Sequence, residues 1–289
     1  MKVSIVVPTY GRPNDLADLF DSLLKQTVKP LEVIVVDDTP SNVIKEVCAK
    51  YRNMFEKFSI KLAYIRNWKE PSPAIARNIG VGMAKGDIIL FLDSDVILDE
   101  KYIEEILETF MKYPHAIGVQ GFEVSRLKEN YGDNLFRSIR RRILRSLFFL
   151  SIYTKDSCRL FEYPVILTRT IYCEWLTGSN MAWKKKIFLE FSFDENLKGY
   201  SYMEDILFSY SVFRKYPRGL LINPRAKCVH KLSKEARMED AAFKIYNRRY
   251  RKYVLTKLFG LKGLYMFFMQ EFGTIFVSLF NGIRRYQNV

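Results

Sequence analysis

Cysteine and long apolar runs are scarce in this sequence, and each shortage excludes a class of protein. The four cysteines, Cys48, Cys158, Cys173 and Cys228, lie far apart without a C-x-x-C pair, which argues against a zinc site or a disulfide framework. No predominantly apolar stretch reaches the roughly 20 residues of a membrane-spanning helix. The N-terminus also lacks the charged-then-apolar pattern of a signal peptide. We therefore expect a chain that stays in the cytosol.

The apolar content is high and the charge is strongly positive. Of the 289 residues, 48% are hydrophobic and 15% aromatic, which is enough to bury a large core and excludes intrinsic disorder. A formal net charge of +14 predicts a surface that attracts phosphates. The charge by itself does not choose between a nucleotide, a nucleic acid and an anionic lipid.

Short β-branched runs alternate with helical patterns in the first part of the chain. The runs at residues 3–7, 32–36 and 88–92 are typical of strands buried on both faces of a parallel sheet. Apolar residues between them, at 16–24 and 75–83, recur at helical spacing. This order predicts an α/β fold with a Rossmann-like, mostly parallel sheet flanked by helices, whose ligands lie at the carboxyl ends of the strands.

The pattern changes after about residue 130. Phe136–Leu150 predicts a basic amphipathic helix, Val165–Trp175 a β-like stretch, and Ile206–Phe213 a second helix. We expect a catalytic domain over 1–240, with a nucleotide-binding half (1–100) and an acceptor-binding half (101–240). A basic, aromatic helical tail follows at 241–289.

Three acidic clusters come where strands end or a helix begins. They are Asp37-Asp38, Asp93-Ser94-Asp95 and Glu204-Asp205. Grouped carboxylates beside buried strands are costly unless a cation or hydrogen-bond donors compensate them, and a divalent metal is the obvious compensator. The D-x-D spacing places both side chains on one side of an extended segment, although D-x-D alone is a weak signal.

The order of these features resembles the family 2 glycosyltransferases, which have the GT-A fold. Four segments carry the resemblance: VSIVVPTYGR (3–12), EVIVVDD (32–38), ARNIGVGMAKGDIILFLDSD (76–95) and LTGSNMAWKK (176–185), followed by MED at 203–205. The resemblance implies an inverting enzyme that transfers a sugar from a UDP-, GDP- or dTDP-linked donor to an acceptor hydroxyl. It also implies Mn²⁺ or Mg²⁺ as cofactor.

On the donor side, the resemblance assigns residues to the nucleotide pocket. These are Pro8, Tyr10, Asp38, Arg77, Asn78, Asp93 and Ser94. Asp38 would bind the base and Asp93 the ribose, while Arg77 would either pair with the diphosphate or lock an aspartate in place. Tyr10 could instead be an ordinary turn aromatic and Arg77 a surface arginine. The family's usual D-D-G-S is replaced by Asp38-Thr39-Pro40-Ser41, which lacks the backbone freedom of glycine.

For catalysis, the resemblance implies a metal held by Asp95 and His230, with Asp205 as the general base and Glu204 helping to position the acceptor. A structural histidine and an ordinary helix N-terminal acid are the alternatives. Trp175, Gly178, Ser179 and Asn180 would form the acceptor floor, although Trp175 could simply pack in the core. The Q-x-x-R-W motif of processive synthases is absent from the sequence, so we expect one sugar per encounter.

Two rival classes share part of this pattern. A nucleic-acid-binding protein would explain the basic and aromatic residues but not the acidic clusters, so we expect no nucleic-acid partner. A nucleotidyltransferase acting on a sugar phosphate would share the sheet and the metal acids, but usually has a glycine-rich first loop, where this chain has only Gly11.

The tail carries clustered cations interleaved with aromatics. This pattern favours an interfacial helix or a hairpin on an anionic membrane surface, and a helix packed on the catalytic domain is the alternative. We expect a peripheral protein on the cytoplasmic face of the membrane, acting on a polyprenyl-phosphate-linked or cell-surface glycan precursor.

Overall fold

The computed structural model describes residues 1–127, 143–154, 157–164, 166–233 and 240–286. The strands are β1 (Val3–Thr9), β2 (Glu32–Asp37), β3 (Lys61–Arg66), β4 (Ile88–Leu92), β5 (Val96–Leu98), β6 (Gly118–Glu123), β7 (Ile152–Thr154), β8 (Glu162–Pro164), β9 (Ile171–Tyr172), β10 (Asn180–Lys184) and β11 (Leu220–His230). The longer helices are α1 (Pro13–Leu24), α2 (Val43–Glu56), α3 (Pro73–Met83), α4 (Tyr102–Lys112), α5 (Glu204–Lys215), α6 (Asp240–Phe259) and α7 (Leu261–Tyr286).

The central sheet has the order β3-β2-β1-β4-β10-β6-β11-β5, with β9 beside β11. Its first half is parallel: β1 lies between β2 and β4, and β2 also pairs with β3. β1, β2 and β4 are buried along their whole length, as their β-branched and aromatic composition predicts. Because they are parallel, their carboxyl ends meet at one edge of the sheet.

The second half of the sheet is mixed. β10 runs antiparallel to both β4 and β6, whereas β11 is parallel to β6 and antiparallel to the short β5. The last pairing aligns His230 with Val96. It therefore carries a residue from late in the chain to the end of β4.

Helices cover both faces of the sheet. On one face Ile5, Leu16 and Phe20 belong to a cluster with residues of α2 and α4, and on the other Phe91 and Trp183 pack with residues of α5. The predicted α/β fold is confirmed. The prediction of a mostly parallel sheet holds for its first half.

Some elements differ from the sequence-based expectation. β3 and α2 were not predicted from the sequence. β3 (Lys61–Arg66) is a partly exposed edge strand, and such a strand has only a weak apolar pattern. The β-like stretch Val165–Trp175 is wrong as one element: residues 166–170 are irregular and only Ile171–Tyr172 forms a strand. Residues 136–142 of the basic helix predicted at Phe136–Leu150 lie outside the described residues. In the described remainder, residues 143–147 are helical and 148–150 are not.

The tail forms a helical hairpin in which α6 and α7 pack on each other through the turn at Gly260, whose φ is +60°. Tyr250, Val254 and Leu258 of α6 pack with Met203 and Leu207 at the start of α5. The alternative of a helix packed on the catalytic domain is therefore the correct one for α6. Across the residues that the structure describes, no helix combines the length and apolar character that crossing a bilayer requires.

Candidate active site

A cavity of about 810 Å³ opens at the sheet edge where β1, β2 and β4 end. Nine of the predicted site residues line it: Pro8, Tyr10, Asp38, Arg77, Asp93, Ser94, Trp175, Glu204 and Asp205. The topology thus gathers all three acidic clusters of the sequence at or next to one cavity.

Asp38 follows β2 and faces the cavity with its carboxyl group held from behind. The side-chain amide of Asn67 donates to Oδ1 (2.6 Å) and the backbone N–H of Ser72 donates to Oδ2 (3.0 Å). Burial raises the pKa of Asp38 to about 6, although both hydrogen bonds oppose the shift. Asp38 is therefore a fixed hydrogen-bond acceptor above pH 6 and becomes protonated below it.

Thr39 stands where the family usually has glycine, and its side chain has a structural role in the turn beside Asp38. Asp37 is fully buried and accepts the Thr39 N–H (2.8 Å) and the Tyr64 hydroxyl (2.8 Å), while Thr39 Oγ1 accepts the Gly11 N–H (2.8 Å). Thr39 thereby links the turns that follow β1 and β2. Tyr10, beside Gly11, is 47% exposed on the cavity wall, which leaves its ring free for a ligand.

Asp93, Asp95 and His230 form a cluster suited to a metal ion. Asp93 follows β4, Asp95 precedes β5 and His230 ends β11, and one ligand atom from each lies within 4.8 Å of the others. The buried Asp95 Oδ1 lies 3.1 Å from His230 Nε2. Among the residues that the structure describes, this oxygen has no hydrogen bond of ordinary geometry. Two carboxylates and an imidazole fit a hard or borderline divalent cation such as Mn²⁺, and Mg²⁺ if oxygen ligands complete the shell.

Two cations, the Arg12 guanidinium and the protonated His230 ring, balance the negative charge of Asp95 in the structure. Arg12 Nη1 lies 3.1 Å from Asp95 Oδ2, and the Ser233 N–H donates to the same oxygen (3.2 Å). Burial lowers the pKa of His230, but the carboxylates of Asp95 and Glu123 outweigh it and raise that pKa to about 10. A metal ion would have to displace the imidazolium proton, because a coordinating histidine must be neutral.

Arg77 is a buried strut and not a surface residue. Its guanidinium, 2% exposed, forms an ion pair with Glu204, contacts Asp93 Oδ1 (3.3 Å) and donates to the Gly178 carbonyl (3.3 Å). The structure therefore supports the lock and not the diphosphate contact. Burial raises the pKa of Glu204 to about 8, opposed by Arg77 and reinforced by Asp205.

Asp205 lies in the first turn of α5, where the helix dipole favours a carboxylate. Its Oδ2 accepts the Gly178 N–H (2.8 Å) and its Oδ1 the Ile206 N–H (2.8 Å). Burial raises the pKa of Asp205, and the Gly178 hydrogen bond opposes the rise. A fixed carboxylate with a raised pKa at a cavity wall is suited to accept a proton.

The loop that delivers Asp205 has an unusual backbone. Gly199, Ser201 and Met203 all have positive φ (60°, 47° and 68°), which for the two non-glycine residues costs on the order of 1 kcal/mol each. The segment before α3 holds this loop: Ser72 Oγ lies 2.7 Å from Ser201 Oγ, and the Gly199 N–H donates to the Pro71 carbonyl (2.7 Å).

The predicted acceptor floor divides into two parts. Trp175 lines the cavity with its indole N–H tied to the Glu162 carbonyl (3.0 Å), and a Cβ on Gly178 would lie 2.8 Å from the Arg77 guanidinium. Ser179 and Asn180 are buried below the cavity and hydrogen-bond to each other (3.1 Å). Their predicted direct contact with an acceptor is not carried forward.

Asn78 also lies away from the cavity. Its side chain donates to the Phe193 carbonyl (2.9 Å) and to Glu195 Oε1 (3.0 Å), and it accepts the Phe193 N–H (3.0 Å). Asn78 thus anchors the segment around Phe193 on α3. Its predicted donor contact is not carried forward.

The first part of the chain, which contains Asp38, Asp93 and Asp95 of this site, matches a known family. The model of Glycosyl transferase family 2 covers residues 4–167, which is more than half of the chain. The chain belongs to glycosyl transferase family 2. The resemblance seen in the sequence is thereby confirmed, and the two rival classes lose the support that the pattern had lent them.

Two curated relatives of this family 2 member are much longer than the chain itself. Glycosyltransferase GlyA of Streptococcus pneumoniae is 25% identical over 195 residues, 67% of this chain but 26% of GlyA. An uncharacterized glycosyltransferase of Rickettsia felis is 35% identical over 183 residues, 62% of this chain and 28% of that protein. The chain therefore spans about a quarter of the length of these relatives.

Solved structures confirm the GT-A fold for this family 2 member. A mannosyltransferase from Pyrobaculum calidifontis, in complex with GDP-Man and Mn²⁺, has a TM-score of 0.63 at 14% identity and covers 96% of this chain and 74% of its own. Sequence identity at this level supports the fold alone.

The cavity of this family 2 chain also contains residues that the sequence pattern did not single out. They are Arg12, Ser72, Tyr200 and Tyr202. Arg12 is the last residue of the first motif and could have been found as a cation near the D-x-D acids. Ser72 and the two tyrosines gave no signal, because only the packing of their loops brings them to the site.

Proposed function

We propose that this chain is an inverting glycosyltransferase that moves a sugar from a nucleotide diphosphate sugar to an acceptor hydroxyl. The observation that carries the proposal is that Asp205 and Asp93, a member of the metal-type cluster, line the same cavity. Membership of family 2 supports glycosyl transfer as the reaction.

The donor is a UDP-, GDP- or dTDP-linked sugar. Asp38 accepts hydrogen bonds, and uracil, thymine and guanine each have a ring N–H that can donate a hydrogen bond to such a carboxylate. Proteins of similar fold have been solved with UDP-GlcNAc and with GDP-Man, which supports a nucleotide sugar as the ligand class. Tyr10 offers its exposed ring to the base or ribose.

Asp93, Asp95 and His230 would hold the cofactor, Mn²⁺ or Mg²⁺. Bound there, the ion would supply positive charge for the diphosphate leaving group. Arg12 lies beside Asp95 and lines the cavity, so its guanidinium adds to the positive potential on the donor side.

Asp205 acts as the general base. It removes the proton of the acceptor hydroxyl as that oxygen bonds to the anomeric carbon and the nucleoside diphosphate leaves from the opposite face. A single displacement inverts the configuration at that carbon. Arg77 keeps Glu204 and Asp93 in place in the cavity wall, and Trp175 offers an apolar face to the acceptor sugar.

Calorimetry with UDP, GDP and dTDP, each with and without Mn²⁺, tests the donor site. We expect one nucleotide to bind in a metal-dependent manner, and Asp95→Ala to weaken that binding by about 100-fold, because the remaining ligands hold a hard cation poorly. Glu100 is an exposed acid just after β5, the strand that Asp95 precedes. Glu100→Ala is therefore the matched control and should bind the nucleotide as the wild type does. Equal metal-dependent binding by Asp95→Ala would contradict the metal assignment.

We further propose that the acceptor is a lipid-linked or cell-surface glycan precursor, and that the protein works peripherally at the cytoplasmic face of the membrane. The net charge of +14 supports this proposal. The absence of the Q-x-x-R-W motif from the sequence supports the addition of one sugar per encounter. Transfer assays with a panel of short-chain polyprenyl-phosphate and free-sugar acceptors would test it. Preference for free sugars over all lipid-linked acceptors would contradict it.

A further inference from the structure

Helix α7 carries a continuous row of exposed apolar side chains. This apolar stripe consists of Leu261, Tyr265, Phe268, Phe272 and Ile275, which are 87%, 57%, 58%, 57% and 61% exposed. Their spacing of alternately four and three residues places them on one face of the helix. Large apolar side chains so arranged mark an interaction surface.

The opposite side of α7 is fixed in the fold. Met266 and Phe267 are buried with Leu255 of α6, and Glu271 pairs with Arg248 and Arg251 across the hairpin. The helix therefore presents the apolar stripe in a defined orientation. Tyr265 and Phe272 make ring contacts with Phe149 and Phe148 respectively, and more than half of every side chain in the stripe stays exposed.

Exposed cations lie on the two helices of the hairpin that carries the apolar stripe. Arg249, Lys252 and Lys262 are exposed on the two helices, and Glu271, already paired, is the one acid there whose side chain the structure describes. An apolar face on a hairpin with exposed cations is suited to an anionic lipid surface, where aromatic rings enter the headgroup region and cations meet phosphates. A second copy of the chain would instead bring these cations close to one another, which is unfavourable.

The hairpin is connected to the cavity by packing. The ring of Phe148 contacts that of Phe272 (centroids 5.8 Å apart), and Gln270 donates to the Phe149 carbonyl (2.6 Å); from there the chain reaches Ser151 in the cavity wall. On the other side, Phe243 of α6 packs against Tyr200 and Tyr202, which also line the cavity.

We infer that the apolar stripe docks this protein on an anionic bilayer and so brings the cavity to lipid-anchored acceptors. This inference rests on the proposed function, which places the protein at the membrane, and adds the surface that makes the contact. Docking itself needs neither donor nor turnover, so it is measured independently of catalysis.

Co-sedimentation of the full chain with vesicles tests the docking. One set contains phosphatidylcholine alone and the other a mixture with phosphatidylglycerol. Phe268→Ser with Ile275→Ser should lower partition into the anionic vesicles by about tenfold, since two side chains lose their apolar insertion. The matched control, Met111→Ser with Leu189→Ser, removes two apolar side chains elsewhere that are at least as exposed, and it should sediment as the wild type does.

Arg249→Gln with Lys252→Gln should remove most of the preference for anionic over neutral vesicles while leaving the thermal midpoint unchanged. Failure of the wild type to sediment with either vesicle overturns the inference, as does equal partition of the wild type and the stripe variant. A wild-type dimer that the stripe variant converts to a monomer, without vesicle binding by either, would assign the surface to a second copy. If the wild type docks on vesicles but binds none of the nucleotides, the proposed function is contradicted and the docking inference stands.

Discussion

The donor side and the acceptor side of the cavity are built in different ways. Asp38 and Asp93 stand at the ends of buried parallel strands, whose backbone is fixed by the sheet on both sides. Asp205 is delivered by a loop in which Gly199, Ser201 and Met203 all have positive φ. The proposed donor-binding groups are thus positioned by the sheet, whereas the proposed base depends on contacts made by the loop.

Asp205→Asn should have the largest effect. We expect a loss of transfer by about 10²–10⁴-fold, because an amide cannot accept the acceptor proton. Nucleotide binding should stay near the wild-type value, since the donor groups lie at the strand ends. Calorimetry with UDP or GDP and a transfer assay separate the two effects. Turnover near the wild-type rate would remove Asp205 from the role of base.

Arg77→Leu should lower the free energy of unfolding by about 3–5 kcal/mol, because it leaves the Glu204 carboxylate buried without its cation. The double variant Arg77→Leu with Glu204→Gln should regain part of that stability, since the uncompensated charge is gone. Urea denaturation of the two variants measures the difference. If the double variant is no more stable than the single one, Arg77 does not act through Glu204.

Nucleotide binding should depend on pH through Asp38. Because its pKa is raised to about 6, the carboxyl group is ionised above that pH and becomes protonated as the pH falls through it. Affinity should therefore drop by about tenfold between pH 7.5 and pH 5, one pH unit below the pKa. Calorimetry across this range measures the drop. Asp38→Asn should bind more weakly and lose this step, and an unchanged step in that variant would assign it to another group.

Ser72→Ala should have the smallest effect and connect the two sides. The backbone N–H of Ser72 bonds to Asp38, while its hydroxyl lies 2.7 Å from that of Ser201 in the base-bearing loop. The variant keeps the first contact and loses those of the hydroxyl with Ser201, the Leu197 carbonyl and the Ile75 N–H. We expect kcat to fall a few-fold with the donor KM nearly unchanged, since each hydrogen bond contributes only about 1 kcal/mol. Steady-state kinetics in both substrates measures this, and a change confined to the donor KM would contradict it.

The sequence by itself determined the first strands, the D-x-D segment and the family. Buried parallel strands carry dense β-branched runs, and acids placed directly after such runs are visible as a local pattern, so Asp38, Asp93 and Asp95 were found without any coordinates. β3 escaped because a half-exposed edge strand has no such run.

Only the tertiary structure decided how the distant parts meet. The register of β11 on β5 brings His230 to Asp95, and burial turns Arg77 from a possible diphosphate ligand into a strut between Asp93 and Glu204. Asn78 next to it points to the other side of α3, where it anchors Phe193. The reason is physical: strand pairing and side-chain burial are long-range properties, and no local spacing of residues encodes which partner a buried charge will meet.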